Sequence, residues 1–262
     1  QVKKLTASDG AGDAYFHFGM SVSISGDVIV VGASGADVGG NTGQGAAYVF
    51  ARNQGGADAW GQLKKLTASD GAASDLFGSS LSISGETIVV GAWRAHVSGA
   101  SDQGAAYVFR RNFGGVDNWG QVKKVTASDG TYWDYFGHSV SVSGDTFVAG
   151  AYGHMVDGNS DQGAAYVFAR NRGGTNNWGE VATLVASDGA ASDRFGDAVS
   201  IDGETIVVGT LYDDNSRGAA YVFERNQGGA NAWGEVRQLV ASDRAADDIF
   251  GAALAVSGST IV

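Results

Sequence analysis

The chain of 262 residues has no cysteine and no proline. Without cysteine there is no disulfide framework and no thiolate metal site, and compartment cannot be read from redox chemistry. Long hydrophobic runs are missing too: none approaches the ~18 residues that cross a membrane as a helix. No stretch sustains a helical apolar period. Positive charge is scarce, with 17 Lys and Arg against 28 Asp and Glu and a formal charge of −11. Nucleic acid is excluded as a partner, because its phosphates need a basic footprint. Anionic membrane surfaces are disfavoured for the same reason, and membrane insertion is not expected. The acidic balance permits cation binding, although solubility alone explains it.

Other signals are absent. The chain starts with Gln1 rather than Met and carries no signal peptide, which reads as a processed product or an excerpt of something longer. It has no Asn-x-Ser/Thr sequon. There is no His-Glu-x-x-His, no Gly-x-Ser-x-Gly and no phosphate-cradling loop followed by Lys. An enzyme is therefore the least supported class. A glycoside hydrolase stays open only because carboxylates are abundant and their pairing in space is invisible in sequence.

What is present is repetition. QVKKLTASDG begins at Gln1, with copies starting at Gln62, Gln121, Glu180 and Glu235, at spacings of 61, 59, 59 and 55 residues. GAAYVF ends at Phe50, Phe109, Phe168 and Phe223, and Phe-Gly recurs at Phe18, Phe77, Phe136, Phe195 and Phe250. The 42 glycines sit at fixed places between apolar runs, so they mark turns rather than disorder. Each copy holds four short β-branched or alternating runs: A (FGxSxSIS), B (TIVVGA), C (GAAYVF) and D (WGQVKKLTA). A and B flank a Ser-Gly turn typical of a hairpin. B and C are nearly continuous apolar runs, as in strands covered on both faces. D carries Lys64, Lys65, Lys123 and Lys124, as an outer edge should.

A four-stranded sheet that is apolar on both faces buries them by stacking on its neighbours around an axis. The predicted fold is all-β: a β-propeller of four-stranded antiparallel blades in one domain over residues 1–262. A solenoid is disfavoured because its coils are usually shorter, and a sandwich would not repeat its sequence. Material is present for about five blades. The first residues supply a lone D run and the last residues a lone A and B, so the last blade is expected to be shared between the two chain ends; the other reading is a longer natural chain.

The order Phe-Gly, SxSISGDxIVVGA, GAAYVF, recurring at a constant period over essentially the whole chain, resembles the FG-GAP repeat, which builds the β-propeller head of integrin α subunits and many bacterial surface proteins. The resemblance implies a secreted or cell-surface location, a binding or adhesion role and often bound calcium. That family's calcium loop lies between strands A and B. Here the turn is only Ser25-Gly26-Asp27 and its copies, too short for the roughly six to eight oxygens that calcium takes. A weak calcium-like run occurs elsewhere, with Asp157, Asn159 and Asp161 at alternate positions.

Because strand directions alternate, the D–A and B–C loops emerge at one end and the A–B and C–D loops at the other. The second end is monotonous, and its recurrent Trp60, Trp119, Trp178 and Trp233 read as packing residues. The first end is where the copies diverge, and function sits on loops held by a rigid scaffold. Its unrepeated residues are the candidate ligand-binding set: Tyr15, Trp93, His96, Tyr132, Trp133, Tyr135, Tyr152, His154 and Tyr212. Aromatic rings beside carboxylates suit a glycan or a protein hot spot. The recurrent aspartates (Asp13, Asp75, Asp134, Asp193 and Asp248; Asp9, Asp70, Asp129, Asp188 and Asp243) are expected to bond turn amides, the other reading being metal binding by these pairs. The leading reading is a binding or adhesion module with a protein or glycan ligand; the rival is a structural unit of a self-assembling surface array.

Overall fold

The computed structural model describes residues 2–10 and 16–262; Tyr15 and Asp13 lie outside them. Four sheets of four antiparallel strands follow one another along the chain, each in sequence order from its first strand to its fourth. The first blade is β1 (Phe18–Ser25), β2 (Val28–Ala33), β3 (Ala46–Ala51) and β4 (Gly61–Leu66). The second is β5 (Ser80–Ser84), β6 (Thr87–Ala92), β7 (Ala105–Arg110) and β8 (Gly120–Val125). The third is β9 (Val140–Ser143), β10 (Thr146–Ala151), β11 (Ala164–Ala169) and β12 (Gly179–Leu184). The fourth is β13 (Phe195–Asp202), β14 (Thr205–Thr210), β15 (Ala219–Arg225) and β16 (Trp233–Leu239). A fifth sheet has two strands, β17 (Val256–Ser257) and β18 (Thr260–Ile261). No helix among the described residues is long and apolar enough to cross a membrane.

Neighbouring blades meet along their first strands: β1 contacts β5, β5 contacts β9, and β9 contacts β13. The alternation of strand A makes this seam two-faced. Its aliphatic side chains face the preceding blade, where Leu81, Ile83, Val140, Val142, Val199 and Ile201 are buried. Its serines face the following blade and bond that blade's backbone. Ser80 Oγ donates to Gly137 O at 2.7 Å, Ser82 Oγ accepts from Val142 N at 3.1 Å, and Ser84 Oγ accepts from Gly144 N at 3.1 Å. The same three bonds join the first blade to the second and the third to the fourth. Magnitudes separate the two faces. Each buried aliphatic side chain contributes roughly 1.5–3 kcal/mol, each serine bond about 0.5–1.5 kcal/mol. The apolar face supplies most of the adhesion, and the directional serine bonds fix the register.

The repeated Phe-Gly and Val-Gly-Ala have a common cause at this seam. A Cβ on Gly91 of β6 would lie 2.0 Å from the carbonyl oxygen of Gly137 in the next blade. In the four complete blades the phenylalanine of Phe-Gly closes its own blade: Phe136 packs edge-on against Tyr166 and Phe168, with ring centroids 5.6 and 5.8 Å away.

The connection between blades crosses the next sheet. Ser69 exchanges two hydrogen bonds with Gln121, and Asp70 accepts from Tyr107 Oη at 2.9 Å and Lys124 Nζ at 2.6 Å. Burial works to raise the Asp70 pKa, but the bonds from Lys124 and Tyr107 outweigh it and hold the carboxyl below its usual range. Burial and the Asp70 carboxylate push the Tyr107 phenol well above its ordinary value. The Asp before each Phe-Gly caps the turn, accepting the amide three residues back in Asp75, Asp134, Asp193 and Asp248. The recurrent Trp119 and Trp178 are 1% exposed, in keeping with a packing role.

Among the described residues the chain ends do not share a blade. Residues 2–7 form no strand, and Leu5 and Ala7 pack on the core of the first blade. Ser8 and Asp9 bind Gln62, Tyr48 and Lys65, as their later copies bind theirs. The fifth sheet offers no third strand to which a fourth can pair. On β1 the aliphatic face is bare: Val22 is 66% and Ile24 61% exposed, where their copies are buried.

Two substitutions test the seam by urea unfolding. Ser82→Ala leaves the Val142 amide without its acceptor and should cost about 1–3 kcal/mol. Gly91→Ala forces the sheets apart against backbone and should cost about 3 kcal/mol or more.

Candidate functional site

The loops after the second and fourth strands meet at one end of the assembly. Gly45 bridges Phe77, Gly104 bridges Phe136, and Gly218 bridges Phe250. The residue opening each β2-type to β3-type loop therefore stands beside the residues flanking the next Phe-Gly, at the inner edge where the first strands converge.

In the second to fourth blades these positions hold large side chains, and they form a continuous row. Trp93 meets Tyr135 edge-on at 5.3 Å between centroids. Tyr135 stacks on Tyr152 at 4.9 Å, with 23° between planes. The guanidinium of Arg194 lies 5.2 Å from the Tyr152 ring centre and 4.8 Å from that of Tyr212. His138 sits beneath, edge-on to Tyr152 at 4.7 Å and to Trp93 at 5.8 Å. Its Nδ1 is 3.3 Å from the Asp197 carbonyl and 3.8 Å from the Asp197 carboxylate. All but Tyr212, which is exposed, are half-buried, so each ring keeps a free edge or face.

Electrostatics distinguish this row from a plain apolar patch. Burial raises the Asp197 carboxyl above its usual range, with His138 and Arg194 opposing the shift. Burial, then the neighbouring Tyr135, pushes the Tyr152 phenol up to about 12. The row thus presents aromatic faces, one cation and a partly buried acid beside an imidazole. Such a surface suits stacking on a sugar ring or seating an aromatic or cationic side chain.

Of the sequence-derived candidates, Trp93, Tyr135, Tyr152 and Tyr212 are brought together here. Tyr132 and Trp133 form a separate pair 6.0 Å apart, 56% and 58% exposed, on the same end. His96 is exposed near Asp102 and the Arg94 carbonyl, apart from the row. His154 is turned inward and 8% exposed, so it does not face a ligand. Its Nδ1 lies 3.1 Å from Asp134 and its Nε2 3.6 Å from Asp129, and its ring abuts Tyr166. A histidine among two acids and a tyrosine braces the crossing segment instead. His138, Arg194 and Asp197 were missed by reading loops alone. The available signal was variation at the two positions flanking each Phe-Gly: Leu76 and Ser79, Tyr135 and His138, Arg194 and Asp197.

In the Asp157–Asp161 run the Asn159 side chain is engaged within its own loop. Val156 and Asn159 pair across a tight turn, and the Asn159 amide donates to Gln162 at 2.9 Å. Among the described residues no three His, Cys, Asp or Glu side chains are grouped to hold a metal ion.

His154 makes a pH prediction. The hydrogen bond to Asp134 holds its pKa above the ordinary value, against the opposing effect of burial. A raised folded-state pKa gives stability that is complete below the unfolded value of about 6.5 and lost as pH rises through the folded value. The difference in unfolding free energy between the native chain and His154→Gln should therefore be largest near pH 5.5 and shrink by pH 8.5; a flat difference would refute the pairing.

The arrangement of blades has counterparts. Sqt1 from Chaetomium thermophilum aligns with a TM-score of 0.50 at 13% identity, covering 81% of this chain and 45% of that one. The chain thus spans less than half the length of that protein. The periplasmic gluconolactonase PpgL of Pseudomonas aeruginosa aligns with a TM-score of 0.40 at 15% identity, covering 86% and 73%. The likeness to Sqt1 is one of fold, of propeller type. A search of curated protein sequences finds no match. The seams built from Phe-Gly and Val-Gly-Ala fall inside five stretches, residues 1–50, 60–109, 119–168, 178–223 and 233–262, that match the FG-GAP repeat, and the chain belongs to that family.

Proposed function

We propose that the chain is a non-enzymatic binding module of a secreted or cell-surface protein, and that a glycan or protein ligand lies along the row from Trp93 to Tyr212. One observation carries this reading. Trp93, Tyr135, Tyr152, Arg194 and Tyr212 form an unbroken line of ring and guanidinium contacts at the end where the repeats diverge. The seam between the first and second blades has Ser34 and Leu76 where later seams have Trp93 or Tyr152, and Tyr135 or Arg194. The scaffold therefore does not require aromatics there. Beside the row, Tyr132, Trp133 and Met155 add exposed apolar surface of the kind that anchors interfaces. A glycan array and a pull-down of surface proteins test it. Tyr152→Ala removes the centre of the row and should weaken any ligand found by roughly tenfold, while leaving the unfolding midpoint nearly unchanged. Equal binding by the variant would refute the placement.

A second reading, a self-assembling structural unit, is favoured by the bare face of β1. Met20, Val22 and Ile24 are all more than 60% exposed on one strand. If that face mates with another copy, sedimentation should show concentration-dependent association, abolished by Ile24→Asp.

A further inference from the structure

The opposite end carries a second site of different chemistry. There the turn between the first two strands of each blade meets the loop after the third, as in the bond from Arg170 N to Asp145 O. An arginine follows each GAAYVF at this end, and the first two copies neutralise it. Arg52 Nε donates to Asp58 at 2.6 Å, and Arg111 donates twice to Asp117 at 2.9 and 2.6 Å. In the third and fourth copies the aspartate becomes asparagine. Arg170 Nε donates to the neutral amide oxygen of Asn176 at 2.6 Å. Arg225 makes no bond to Asn231; its Nη2 donates to Thr146 Oγ1 and its guanidinium lies 5.0 Å from the Trp233 ring centre. Arg225 Nε is buried without a hydrogen bond, Glu204 approaching it at 3.4 Å as an ion pair without bonding geometry.

These two blades flank an open cleft of about 400 Å³ between them, lined by Arg170, Arg172, Arg225, Asp145, Asn231 and Trp233, with Val181 on its apolar side. Of the three lining guanidinium groups, two are paired, Arg170 with Asp145 and Arg225 with Glu204, so Arg172 is the surplus cation. Arg170 is bonded to Asp145 at 3.0 Å, and Arg172 is exposed. The cleft therefore keeps one uncompensated guanidinium on a chain of formal charge −11. The equivalent cleft between the first two blades holds Arg52 and Arg111 against Asp27 and Asp117, and is balanced.

We propose that this cleft binds a carboxylate-bearing ring, of the size and chemistry of a hexuronate. The forked guanidinium of Arg172, which holds no carboxylate of its own, matches a ligand carboxylate in two parallel bonds. The Asn231 amide offers a partner for ring hydroxyls, and Trp233 and Val181 supply apolar wall. The site is separate from the aromatic row and does not depend on it.

The experiment is a titration of the full chain with glucuronate, glucose and inorganic phosphate, followed through the indole N–H signals by NMR. Glucuronate should bind, more weakly as salt rises, with glucose inert and phosphate weaker. Asn231→Asp restores the carboxylate of the first two copies. Asp58 and Asp117 occupy that same backbone conformation, with φ of 54° and 55° against 61° for Asn231, so the variant should fold. It should bind glucuronate on the order of tenfold more weakly, as should Arg172→Gln, since each weakens a charged contact. Undiminished binding in both variants, or glucose binding as well as glucuronate, would overturn the proposal. Phosphate binding as tightly as glucuronate would overturn the assignment of a ring.

Discussion

Each seam between the four complete blades is a strip of serine hydroxyls set against the backbone of the next sheet. Ser82 and Ser84 satisfy the amides of Val142 and Gly144, which strand pairing within their own blade leaves free. Backbone groups buried without partners are costly, so the following blade is held at one height and one spacing. The glycines at the upper end of the seam let the sheets approach until Gly91 and Gly137 nearly touch. No larger residue fits there, so Phe-Gly and Val-Gly-Ala are two halves of one contact. The aliphatic side chains beneath supply the driving force, but on their own would allow one sheet to slide over the next.

A fixed spacing at the inner edge determines what the loops can do. The residues flanking Phe-Gly and those opening the next loop are set side by side whatever their identity, since the bridges between Gly104 and Phe136, and their copies, are backbone. Substitution at these places changes chemistry without changing architecture. At the first seam they hold Ser34 and Leu76; at the later seams they hold a tryptophan, tyrosines and an arginine in contact. Tyr135 and Arg194 both adopt positive φ, at 59° each, and so does Leu76 at 58°. The conformation belongs to the repeat, and the side chains it presents belong to the site.

The blades were legible in sequence because burial on both faces writes itself as repeated apolar runs, and turns write themselves as glycine. Strand A carried its seam openly as alternating serine and aliphatic residues. The site was only half legible. Trp93 and Tyr152 stood out because they interrupt a loop, whereas His138 and Asp197 lie inside strand-like sequence and become neighbours only through the seam. His154 misled for the converse reason: it sits in a divergent loop, but Asp134 and Asp129 draw it inward, and a pairing across twenty residues leaves no local mark. The lone run at the N-terminus looked like a fourth strand because its sequence is one. Strand pairing is made by a neighbour, and the fifth sheet has no third strand to provide it.

The same logic separates the two ends of the fold. Charge at the A–B end is carried by a position that the backbone holds at positive φ, which aspartate and asparagine both tolerate. Exchanging one for the other is nearly free in conformational terms, yet it removes a full charge from beside a guanidinium. One such exchange, Asn231 in place of the Asp117 of the earlier seam, together with Arg172, leaves a surplus cation between the third and fourth blades while every strand stays in place. At the other end, diversity is bought with whole aromatic side chains, which must find room against their neighbours and so pack into a row. A repeat that confines its structural demands to serines, glycines and Phe-Gly leaves both kinds of position free to vary, and the two ends can acquire different chemistry independently.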